Sequence, residues 1–178
     1  DLMKLGTITF DGAPHVVLRG KDGKARLLAS VAVAAGVTVP DDMLALIEMA
    51  SAQAGLIDAL ARTVDQIVPL PDAALDWRAP IARPSKILGV AFNNKELMRK
   101  AHFDPGVPNF FMKPPSALQG HGKPIRVDPA WGAVIPEPEV CAVIGRQVKD
   151  ISEDEALSCV FGYAIHNDVT SHGLKFGK

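Results

Sequence analysis

Cysteine is scarce. The two in 178 residues are too few for a disulfide framework, and their spacing matches no zinc-ligand pattern. Cys141 and Cys159 stand inside apolar runs, "EVCAVIG" and "LSCVFGY", where a free thiol packs as a small hydrophobe. A block of like charge is also missing: 19 Lys and Arg face 20 Asp and Glu, for a net charge of −1. Without a basic patch, neither nucleic acid nor an anionic membrane is expected as a partner. The one basic cluster, "KELMRKAH" (95–102), is broken by Glu96 and reads as a solvated helix face. No stretch reaches the ~20 apolar residues of a membrane span. The first residues, "DLMKLGTITFDG", contain no apolar signal core. The expectation is therefore a cytoplasmic protein without a membrane partner. Repeats and low-complexity tracts are absent as well. What remains is globular in balance, 48% hydrophobic and 22% charged. The length suits one domain, or one with a small appendage.

Residues 4–19 predict a hairpin, "KLGTITF" and "HVVLRG" joined by the turn-forming Asp11-Gly12. A second turn signal, Lys21 to Lys24, precedes "ARLLAS", so two or three antiparallel strands open the chain. Helices follow at "DMLALIEMA", with Asp41 as expected N-cap, and at "GLIDALARTV". Their apolar residues face a core, and no chemistry is expected before residue 65. The proline-rich "VPLPDAALDWRAPIARPSK" (68–86) reads as a connector. The expected organisation is a small domain over 1–75, a linker over 76–85 and a second domain from 86 to 178. In the latter, "KILGVAF", "NFFMKPP", "KPIRVDP", "EVCAVIG" and "GYAIHNDV" read as strands. "ISEDEALSCVFG" reads as a helix opened by a capping box of Ser152 and Glu155. The final "SHGLKFGK" closes no element, and the chain is expected to continue beyond residue 178.

Within "VIPEPEVCAVIG" (134–145), Glu137 and Glu139 stand two apart. Pro138 holds Glu137 in the extended region, and alternate residues of a strand share a face. Two neighbouring carboxylates repel unless a proton or cation lies between them. A hard divalent cation, Mg²⁺ or Mn²⁺, satisfies such oxygen donors, with Asp168 at the end of an apolar strand as the third carboxylate. The pair can equally be edge-strand charge that discourages aggregation.

Other residues say less. His166 and His172 are six apart, which matches no helical ligand pair, and His15 belongs to the hairpin. His121 lies in "GHGKP", which lacks the features of a phosphate loop. His102 follows a segment that looks like a short helix or lid. Lys113 ends an apolar strand, where it either meets an anionic substrate or simply terminates the strand at the surface.

Four segments in order, "KILGVAFNN", "NFFMKPPSALQGHGKPI", "EPEVCAVIGRQVKDISEDEAL" and "VFGYAIHNDVT", together resemble the fumarylacetoacetate hydrolase family over about residues 84–172. The resemblance implies an α+β fold: a mixed β-roll catalytic domain preceded by a small α/β domain. It implies Mg²⁺ or Mn²⁺ held by Glu137, Glu139 and Asp168, and Lys113 binding the carboxylate or oxo group of the substrate. It also implies a homodimer. Hydrolytic members carry a His and a Glu three apart in the lid, which prepare a water. Alignment on Asn93 puts Leu97 and Lys100 at those positions, and neither can do so. His102 is the candidate to stand in for them.

The function implied is metal-dependent chemistry on small 2-oxo or 1,3-dicarbonyl acids through a stabilised enolate, by family default hydrolysis of a C–C bond. The missing dyad moves weight to isomerase, hydratase or dehydratase, or decarboxylase activity. A non-catalytic metal or oxo-acid binder is the rival of a different class, and a partner-binding domain without metal is the third reading.

Overall fold

The computed structural model describes residues 3–171 and 173–174, and His172 lies outside them. The hairpin forms: β1 (Lys4–Phe10) pairs antiparallel with β2 (Ala13–Arg19). Asp11 and Gly12 both take positive φ, 48° and 78°, which is what a two-residue turn between twisted strands demands. β3 (Ala25–Leu27) and β4 (Asp76–Trp77) complete a four-stranded sheet in the order β3-β2-β1-β4. The sheet thus draws its last strand from the expected connector, because Trp77 registers opposite Ile8 and covers Gly6.

Three helices pack on this sheet: α1 (Leu28–Ala35), α2 (Met43–Ala52) and α3 (Leu56–Thr63). α1 departs from the expected strand at "ARLLAS", which turns helical after Leu27. The N-cap of α2 is Asp42, whose side chain accepts from Ala45 N, not Asp41. Asp41 instead accepts from Val16 N and pairs with His15, fastening the helix to β2. Leu18, Leu28, Leu46 and Leu60 are fully buried together. Each such side chain contributes roughly 1.5–3 kcal/mol. Among the described residues no single helix is long and apolar enough to cross a membrane.

The remainder is built of two-stranded ribbons. β5 (Ile87–Ala91) pairs with β6 (Asn109–Lys113), and α4 (Lys95–Ala101) lies between them in sequence. Phe92, with a positive φ of 54°, and Phe103 flank α4 and meet edge to face. Residues 123–129, expected as a strand, form none; Pro124 and Pro129 supply no backbone donor there. β7 (Val134–Ile135) leads into β8 (Pro138–Ile144). α5 (Glu153–Ala156) opens with the expected capping box and is shorter than the predicted helix. β9 (Val160–Asn167) pairs with β8, and β10 (Thr170–Ser171) with β7.

The β8–β9 ribbon leans on the helical core at one end. Val143 and Phe161 pack against it, and Ser51 Oγ on α2 donates to Gly145 O at 2.8 Å. The opposite end reaches Glu137 and Asp168.

Candidate metal centre

Glu137 sits between Pro136 and Pro138, in the gap between β7 and β8. Asp168 occupies the matching gap between β9 and β10. Pairing on either side, Ile135 with Thr170 and Pro138 with Asn167, sets Glu137 opposite Asp168. Backbone bonds lock this arrangement: Asp168 N donates to Glu137 O at 2.8 Å, and Glu137 N donates to Asn167 Oδ1 at 3.0 Å. Glu139, two residues along β8, shares the face of Glu137.

The structure therefore brings Glu137, Glu139 and Asp168 together, with one carboxylate oxygen from each within 4.8 Å of the others. Oxygens on opposite sides of an octahedral Mg²⁺ lie about 4.2 Å apart, so this spacing suits a shared ion. Like charges placed directly across two strands are destabilising by themselves. The glutamates are half-buried, and Asp168 is only 4% exposed, so water cannot disperse the charge of its carboxylate.

Lys113, at the end of β6, approaches this group and ion-pairs with Asp168 Oδ1. Among the described residues, three carboxylates and the Lys113 ammonium sum to a formal double negative charge, the amount a divalent cation cancels. Burial, and secondarily the charge of Glu139, pushes the nearby Cys141 thiol up, which keeps it a neutral thiol and not a soft thiolate donor. The donor set is hard oxygen, and it fits Mg²⁺ or Mn²⁺.

His102 is not part of the carboxylate group. It terminates α4 in the left-handed conformation, φ 49°, with its amide bonded to Arg99 O, and its side chain is exposed. On the same helix Leu97 is exposed, and Lys100 pairs with Glu96 at 3.6 Å. His121 is exposed; its neighbour Lys123 ion-pairs with Asp76 of β4. The sequence reading set His166 aside because it forms no helical ligand pair with His172, yet it registers directly opposite Glu139. The available signal was its position two residues before Asp168.

Residues 86–178 match the family model described as fumarylacetoacetate (FAA) hydrolase C-terminal. The chain belongs to the fumarylacetoacetate hydrolase family. A mitochondrial oxaloacetate tautomerase of Bos taurus is 28% identical over 142 residues, which are 79% of this chain and 45% of that protein. The fumarylacetoacetate hydrolase domain-containing protein 2 homolog of Dictyostelium discoideum is 30% identical over 148 residues, 79% of this chain and 46% of its own. The chain thus spans about half the length of these curated relatives. Maleylpyruvate hydrolase from Sphingobium sp. SYK-6, solved with manganese(II) and pyruvate, superposes with a TM-score of 0.71 at 26% identity, over 94% of this chain and 60% of that one. Fumarylacetoacetate hydrolase from Exiguobacterium antarcticum, at 24% identity, shares the fold with a TM-score of 0.73 over 98% of this chain and 58% of its own. The α+β fold of the family therefore covers nearly the whole chain.

Proposed function

We propose that Glu137, Glu139 and Asp168 hold Mg²⁺ or Mn²⁺, and that the protein acts on a small 2-oxo or 1,3-dicarbonyl acid. The observation that carries this reading is the convergence of three carboxylates on the break between two ladders, one of them buried, with a single ion-paired lysine beside them among the described residues. An ion held by these three carboxylates would supply Lewis-acid charge to the oxygens of an oxo acid. Lys113 brings an ammonium to the same place, suited to the substrate carboxylate. The prolines flanking Glu137 and the backbone bonds from Asp168 and Asn167 hold the ligands in place before any substrate arrives.

Within the family's chemistry, we place keto–enol tautomerisation first and C–C hydrolysis second. The helix that would carry a water-activating dyad presents Leu97 and Lys100, the latter engaged by Glu96. An oxaloacetate tautomerase stands among the relatives, and a keto–enol tautomerisation consumes no water. A homodimer, implied by the family resemblance, belongs to the same proposal.

The test is to follow the decay of oxaloacetate enol and the cleavage of an acylpyruvate in parallel, with Mn²⁺ and with EDTA. Accelerated enol decay that needs the ion and disappears in Glu139→Ala is the expected result. Cleavage of the acylpyruvate would reverse the ranking. Ion binding with turnover of neither compound would leave a non-catalytic binder.

A further inference from the structure

The antiparallel register of β8 and β9 places four polar side chains on one face of a narrow ribbon. Glu137 stands opposite Asp168, and Glu139 stands opposite His166. Residues two apart on a strand share a face, so His166 and Asp168 lie beside each other as Glu137 and Glu139 do. Three corners of this rectangle are the carboxylates, and the fourth is an imidazole. The alternate positions, Val140 and Ile165, point to the other side and are exposed.

His166 is half-buried, and its nitrogens are not among the three converging donors. Among the described residues neither the His166 ring nor the Glu139 carboxylate makes a hydrogen bond, although directly opposed side chains have Cβ atoms only about 4.5–5.5 Å apart. A ligand carboxylate offers one oxygen to the ion and keeps a second for an outer donor. A neutral imidazole N–H at this distance is such a donor.

We infer that His166 is a positioning residue for Glu139: its ring N–H holds the outer carboxylate oxygen and aims the inner one at the ion. The inference rests on the proposed Mg²⁺ or Mn²⁺ site and adds a fourth residue to it. Outer partners of this kind typically contribute about 10–100-fold to metal affinity. A half-buried histidine that merely covers the ribbon contributes nothing to it.

Calorimetric titration of the protein with MnCl₂ separates the cases. His166→Ala is expected to weaken Mn²⁺ binding by about 10–100-fold. His166→Leu, which fills the space without a donor, gives the same loss if the alanine variant does not fold. His166→Gln, which restores an N–H of similar reach, returns the affinity to within a few-fold of the parent. Unchanged affinity in the alanine or leucine variant, or no recovery with glutamine, overturns the role of His166 and leaves the three-carboxylate site standing. Absence of Mn²⁺ binding by the parent protein overturns the site itself, and the inference with it.

Discussion

Lys113 of β6 and Asp168, just past β9, form an ion pair that joins two ribbons belonging to separate sheets. If the proposed ion binds there, the ammonium occupies part of the electrostatic position it would take, and so would oppose ion binding while favouring an anionic substrate. Replacing Lys113 with Met is expected to tighten Mn²⁺ binding by about tenfold, the effect of one partly screened charge interaction of ~1.4 kcal/mol. Calorimetry reads this directly, and weaker binding in Lys113→Met would show that the lysine supports the site in some other way.

An ion held at the proposed site would stabilise the folded chain by mass action. At a Mn²⁺ concentration about 100 times the dissociation constant, the gain is about 2.7 kcal/mol. A thermal melt is expected to shift upward with MnCl₂ and return with EDTA. In Glu139→Ala and Asp168→Asn the shift disappears. A shift that persists in both variants would locate the ion elsewhere.

Asp22 and Arg26 form a second electrostatic unit, where the turn after β2 enters β3. Arg26, nearly buried, donates to both Asp22 oxygens, and Lys24 N adds a third bond. The guanidinium first, and that backbone bond second, hold the Asp22 carboxyl well below the usual carboxylate range. A depressed folded-state pKa gives stability that is present above the unfolded value of about 3.9 and is lost as the pH falls toward the folded one. Between pH 4 and pH 2 the parent protein is expected to lose more melting temperature than Asp22→Asn. Parallel losses would remove this pair from the acid response.

Gly145 has no room for a side chain. An added Cβ would lie 2.7 Å from Ser51 Oγ and 3.0 Å from Phe161 Cβ. Gly145→Ala is expected to destabilise the chain by about 1–3 kcal/mol, read by chemical denaturation. Ser51→Ala removes the bond to Gly145 O at a cost of about 1 kcal/mol.

The acidic pair was legible because its information is local. Pro138 and the two-residue period of a strand set the relation of Glu137 to Glu139 without reference to distant chain. The Asp11-Gly12 turn and the Ser152–Glu155 capping box were legible for the same reason. α1 was not: Leu27 precedes it with no capping side chain, and its valines favour strands as readily. Asp41 and Asp42 are equally good caps by type, and the choice is made by His15 and Val16 of a neighbouring strand. The residues 123–129 carried a strand-like composition but found no partner to complete a ladder. The meeting of Lys113 with Asp168, and of Glu139 with His166, depends on strand pairing between distant segments, which no short window of sequence contains.

The family match begins at residue 86, yet the strands bearing the carboxylates are seated through their own Val143 and Phe161, and through the bond from Ser51 to Gly145, on a core built before that point. A graft of residues 86–178 onto a foreign amino-terminal half would carry every acidic group and leave the hairpin's root unmoored. Chimeras within this family are therefore expected to inherit composition more readily than alignment.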